Sequence, residues 1–228
     1  MRIRAQSRLS RGRRSLFVVC RILLALTPLR GDIIDRIAVS VGNRVITASD
    51  LDREIRVTAF LNGVKPDFSP ANKRATVERM IEQKLIRREL ENSRYPVPGP
   101  SEIEPVLDKI KKDRFRDEAD LQSALSGYGI TEQDVKDELL WQRTLLSFID
   151  VRFRPGIQVS EQEIQNYFND VVAPAAEASH PRQPVTLEEY RAQIEATLAG
   201  KRVDQEVDTW LHNARQRLEI IYHDEVLR

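Results

Sequence analysis

The sequence predicts a mainly helical protein with a small β-hairpin near its N-terminus, joined by a strand from its C-terminal end. Three observations carry that expectation. Ile37, Val39 and Val41 alternate with small or polar residues, which is the period of a strand, and Gly42-Asn43 follows with two residues that tolerate positive φ, as a tight hairpin requires. Across residues 47–218 the chain is a succession of helix caps, each opening an apolar stripe at helical spacing. Finally, Leu218-Glu-Ile-Ile-Tyr-His223 is β-prone. A lone hairpin is marginal in water, so this run is expected to pair with residues 37–41 or 45–47 as a third strand.

After the return strand at Val45 and Ile46, Thr47-Ala-Ser-Asp50 has the oxygens of a helix N-terminus, with Thr47 or Ser49 as cap and Asp50 and Asp52 at the positive end of the dipole. That helix is expected over residues 49–61, ending at Asn62-Gly63. Ser69-Pro70 opens a second helix with a cap and a proline in the first turn; Val77, Ile81 and Leu85 form its stripe, widened by Met80, Ile86 and Leu90. Three prolines in Tyr95-Pro-Val-Pro-Gly-Pro100 forbid its continuation. Ser101-Glu-Ile-Glu104 reads as a capping box for a third helix that buries Ile103, Val106, Leu107 and Ile110.

A shorter helix from about Asp117 turns Leu121 and Leu125 inward and closes at Gly127-Tyr-Gly129. Thr131-Glu-Gln-Asp134 caps the most apolar helix. Its Val135, Leu139, Leu140, Trp141, Leu145, Leu146, Phe148, Ile149 and Phe153 occupy more than one face, as expected of a central helix packed on several sides. Ser160-Glu-Gln-Glu163 caps another helix with Ile164, Tyr167 and Phe168. Residues 171–185, with three prolines and small residues, read as a linker. The last helix, over residues 187–218, carries Tyr190, Ile194 and Leu198, then Val203, Val207, Trp210, Leu211 and Ala214; the five-residue step at Gly200 predicts a kink or stagger.

The formal net charge of +1 hides an asymmetry. Residues 1–30 hold eight arginines and no acid, leaving 28 basic against 35 acidic side chains in the remainder. An acidic body argues against nucleic-acid binding, which depends on clustered cations. Arginines before the apolar run Leu16-Phe-Val-Val-Cys-Arg-Ile-Leu-Leu-Ala-Leu-Thr-Pro-Leu29 have the layout of an export signal, so residues 1–31 are expected to be a leader that touches the membrane only transiently. Arg21 interrupts that run and no A-x-A site follows it; a basic tail on a cytosolic protein or a misplaced start is the alternative. The single cysteine, Cys20, lies in this segment, so the body has no thiol for a disulfide, a zinc site or nucleophilic catalysis.

"DRIAVSVGNRVITASDLDREI" resembles the opening of the SurA-type periplasmic chaperone and peptidyl-prolyl isomerase family. The later segments "LQSALSGYGITEQDVKDELLWQRTLLSFI", "VSEQEIQNYFND" and "RLEIIYHDE" are similar in style and order to that family's chaperone core, so the resemblance covers most of residues 33–228. It implies a core built from residues 33–170 and completed by residues 186–228. In isomerase members a parvulin domain lies between the last two helices. Here that interval is residues 171–185, against the roughly 50 residues a domain needs. The resemblance therefore implies an exported, periplasmic chaperone core without the enzyme. Its partners would be unfolded or partly folded polypeptides, including outer-membrane proteins, with no cofactor and no nucleic acid. The alternatives are an isomerase-family protein with residual activity and a helical scaffold with one dedicated partner.

Chemistry at particular residues gives little to set against this. His180, His212 and His223 have no ligand-like spacing, which argues against a metal site; His180 reads as a solvated linker residue and His212 as a surface or packing residue. Asp134, Asp137 and Glu138 follow helix-surface spacing and read as a solvated face rather than a catalytic pair. Trp141 and Trp210 have the chemistry of peptide contacts, but their place in apolar stripes points to core packing. No catalytic, cofactor-binding, metal-binding or client-binding residue is therefore assigned.

Overall fold

The computed structural model describes residues 35–179 and 185–228; the basic leader with Cys20, and His180, lie outside the described residues. Strands β1 (Ile37–Val41) and β2 (Arg44–Thr47) form the hairpin, with Val41 opposite Arg44 across the two-residue turn. Of the two turn residues only Gly42 has positive φ, +56°, so Asn43 does not use the conformation the sequence suggested for both. Positive φ confined to the first position is the pattern of a type II′ turn. Ile37 also departs from simple alternation. The register slips between Ile37 and Val39, so Ala38 is fully buried and Ile37 is left 40% exposed.

The third strand, β3 (Ile220–Tyr222), lies antiparallel to β1, with Ser40 opposite Ile221, giving the order β2-β1-β3. The pairing continues past both strand ends, through Gly42 N–H to the Glu219 carbonyl (2.8 Å) and His223 N–H to the Ala38 carbonyl (2.9 Å). The chain does not stop contributing there. Val226 and Leu227 turn back into the core, and Lys73 Nζ donates to the carbonyls of Val226 (3.3 Å) and Arg228 (3.0 Å).

The remainder is helical: α1 (Ala48–Asn62), α2 (Pro70–Asn92), α3 (Glu104–Arg114), α4 (Glu118–Tyr128), α5 (Glu132–Arg152), α6 (Glu161–Tyr167), α7 (Ala173–Ser179) and α8 (Leu187–Gln216). Thr47, Ser69, Asp117, Thr131 and Ser160 each accept a hydrogen bond from the first turn of their helix. Ser49 does not cap; it lies inside α1 and binds the Asp35 carboxylate. Gly63 and Gly129 end α1 and α4 in the left-handed region.

The start of α3 differs from the expected box at Ser101. Residues Pro100–Glu102 form a 3-10 turn, closed by Gly99 N–H donating to Glu102 Oε1 (3.2 Å), and α3 begins after Ile103. In that phase Ile103 and Leu107 are buried, while Val106 is 49% exposed. Of the linker expected over residues 171–185, residues 171–179 are helical rather than irregular, and residues 180–184 lie outside the described residues. A π-helical turn, Phe168–Val172, carries the chain from α6 into α7. Alanine is the strongest helix former, and the wider turn just before Pro174 helps accommodate a residue that lacks an N–H.

The core consists of three apolar clusters joined by helices that span two of them. The first packs the sheet, α1, α2 and Leu227; the second packs Val57 and Phe60 of α1 with α3, α4 and the start of α5; the third packs Ile86 of α2 with Trp141, Phe148 and Phe153 and with Val203 and Trp210 of α8. α5 thus has the several-sided packing expected of it, although Leu146 faces outward at 57% exposure. α8 passes through Gly200 as one helix. Arg191 near its start and Arg202 at its middle tie it to Glu161 and Glu163 of α6, and Arg215 ties its end to Glu78 of α2, so the packing partner changes along the helix. Among the described residues no helix is long and apolar enough to cross a membrane.

Candidate functional site

The end of α5 leaves an aromatic step at the surface. Phe148 is fully packed, and Tyr95, Phe153 and Trp210 meet its ring edge-on, with centroids at 5.1, 5.7 and 5.6 Å. Phe153 also meets Trp210 at 6.2 Å. Edge-to-face contacts of this kind favour a fixed mutual arrangement. The group is assembled from three separate parts of the chain: the proline-bearing segment after α2, the end of α5, and α8.

Arg152 holds the outer side. Its Nη1 donates to Tyr95 Oη (2.6 Å) and Glu89 Oε1 (3.1 Å), and its guanidinium lies 5.4 Å from the Trp210 ring centroid. Beside it runs a groove of about 530 Å³, lined by Tyr95, Val151, Phe153 and Trp210 and by the polar Glu206, Thr209 and Asn213 of α8. Val151 is 45% exposed. Glu206 and Asn213 make no side-chain hydrogen bond among the described residues. Aromatic and aliphatic side chains interleaved with unused polar groups suit an extended peptide, whose side chains pack on the rings while its backbone amides meet the polar groups.

A second feature lies where α5 crosses α1 and α2. Glu54 and Glu138 both line two adjoining clefts, of about 230 and 300 Å³, together with Gln83. Each carboxylate accepts one side-chain amide: Gln83 Nε2 donates to Glu54 at 3.3 Å, and Gln142 Nε2 donates to Glu138 at 2.8 Å. Among the described residues neither has a cationic group within 4 Å. Burial, and then the charge of Glu54, push the Glu138 carboxyl up to about 7. Burial likewise raises Glu54 and Glu82.

The tryptophans therefore part company. Trp141 is buried, with the Arg87 guanidinium 4.1 Å from its ring centroid, as its stripe implies. Trp210 is only half-buried and lines the groove while it packs on Phe148. Of the three carboxylates read as a solvated face, Asp137 is exposed and accepts from Gln133 (2.7 Å), and Asp134 closes the α5 capping box and lies 3.5 Å from Arg53. Glu138 is half-buried and does not belong with them. A signal for this was present: Glu138 lies three residues from both Val135 and Trp141, and Glu54 three from both Leu51 and Val57, all four of them buried. A polar residue flanked in that way sits between two packed stripes.

His212 is exposed and 2.8 Å from Gln216 Nε2, while His223 belongs to the strand end. Among the described residues no three His, Cys, Asp or Glu side chains are placed to hold a metal ion. Tyr95, Val151 and Arg152 were not legible as a site, because only tertiary packing brings them to α8. No protein-family model matches the chain, and no curated protein matches it.

Proposed function

We propose that this chain is a non-enzymatic, extracytoplasmic chaperone that binds unfolded or partly folded polypeptides, outer-membrane proteins among them. The groove beside Trp210 is the observation that carries the reading. It sets the aromatic rings of Tyr95, Phe153 and Trp210 beside the free polar side chains of Glu206 and Asn213. The resemblance of the opening hairpin and of the ordered capped helices to a SurA-type core supports the same class, and the short interval between α7 and α8 leaves no room for a parvulin domain. The periplasmic location rests on the arginine-rich leader and that resemblance.

The test is suppression of aggregation of several unrelated unfolded proteins by the purified chain, with a prolyl-isomerisation assay on the same preparation. Suppression without isomerisation is expected, and Trp210→Ala should weaken it about tenfold, in the range of an aromatic hot spot, while the fold persists. Isomerase activity would overturn the non-enzymatic reading. Binding of one fixed partner, with no effect on unrelated unfolded chains, would replace the chaperone with a dedicated scaffold.

A further inference from the structure

We propose that Glu54 and Glu138, facing the same clefts at the α1/α2/α5 crossing, form a proton-operated latch that sets how tightly α5 is seated on α1 and α2. The geometry is that of two half-buried carboxylates on different helices, each satisfied by one glutamine and neither paired with a cation within 4 Å among the described residues. When Glu138 is protonated, one of the two like charges is removed and the repulsion between the helices that carry them is relieved. When both are ionised, two like charges remain in a partly dry crossing with no counter-ion in contact. The clefts on either side give solvent a path to both groups.

The surrounding charges do not cancel this effect. From α1, Asp50 and Arg53 face the first cleft, and Arg53 lies between Asp50 (3.6 Å) and Asp134 (3.5 Å). From α2 come Arg79, Glu82, Lys84 and Arg87. Arg79 donates to Thr76 Oγ1 (3.0 Å) and Arg87 covers the Trp141 ring, while Glu82 adds a further anion. Lys84 lines the first cleft without an ion pair among the described residues. From α5 itself, Asp134 and Asp137 add negative charge. Arg79 and Arg87 attract Glu138 from a distance, yet burial and Glu54 outweigh them and hold its carboxyl near neutrality.

Trp141 reports on the crossing, because it lines the second cleft beside Glu138 and Gln142. In the full chain carrying Trp210→Phe it is the sole indole. Its emission, and the intrinsic-rate-corrected amide exchange of residues 138–144, are followed from pH 5.5 to 8.5. A single transition with its midpoint near 7 is expected, with amide protection about tenfold lower on the alkaline side. Glu138→Gln should abolish the transition. Glu54→Gln should move its midpoint to lower pH by removing the neighbouring anion, and replacing His180, His212 and His223 by Gln should leave it in place. A flat profile in the parent, a transition that survives Glu138→Gln, or one that disappears with the histidines would overturn the latch.

Discussion

Leu227→Ala tests whether the C-terminal tail is part of the core. Leu227 is 0% exposed and sits in the cluster that contains Val39, Val77, Leu51 and Ile81. The substitution removes three carbons from a closed apolar site, worth about 2–2.5 kcal/mol at about 0.8 kcal/mol per buried methylene. The residual cavity adds to this. The sheet and two helices frame the site and limit its collapse, so the expected loss is about 3 kcal/mol, inside the usual range for buried Leu→Ala. Urea unfolding followed by far-ultraviolet circular dichroism measures it. With a urea slope near 2 kcal/mol/M, the midpoint should fall by about 1.5 M with the slope unchanged. A loss below about 1 kcal/mol would mean that the tail merely rests on the domain, and that β3 closes the sheet without an anchor behind it.

Other expectations follow from single groups. The Glu138 carboxyl holds its proton to about 7 in the fold, against an ordinary value of 4.5. Between those values the native state binds more protons than the unfolded chain, so stability falls as pH rises through that window and levels off above it. The full shift corresponds to about 3 kcal/mol, and screening of a partly exposed group reduces this to about 1–2 kcal/mol. Glu138→Gln should therefore exceed the parent's stability by about 1–2 kcal/mol at pH 8 and by little at pH 4.5 in urea melts; an equal gain at both would reject the electrostatic cause. Arg114 donates to the carbonyls of Phe60 (2.6 Å) and Leu61 (3.0 Å), so a side chain from α3 completes the C-terminus of α1. Arg114→Ala should cost about 1–2 kcal/mol in the same assay, with amide exchange rising first in the last turn of α1; an unchanged midpoint would show that water replaces the guanidinium without loss.

Local chemistry was legible where the interaction is local. Thr47, Ser69, Thr131 and Ser160 cap as read, because a side-chain oxygen and an amide three residues on need no third party. Errors came where two local preferences compete or where a neighbour decides. Ser101 lost its place to a 3-10 turn closed by Glu102, which left Val106 outside. The alanines of residues 173–178 outweighed Pro174, one of the prolines that made the segment look irregular. Leu146 belongs to the apolar run of α5, yet its neighbours one turn away, Gln142, Arg143 and Asp150, are exposed, and that face stays outside.

The amino-acid order by itself determined a mainly helical chain, the two-residue hairpin turn, and a β-prone end able to close the sheet. Each follows from backbone preference, capping or apolar period within a few residues. Only the tertiary structure decided that β3 pairs with β1, that Leu227 enters the core, that Trp141 is covered while Trp210 lines a groove, and that Glu54 and Glu138 share a crossing. The physical reason is that burial, and with it the cost of a charge or the availability of a ring, depends on which elements pack together; α2, α5 and α8 are separated in the chain by dozens of residues, and no local pattern records which of their faces will meet.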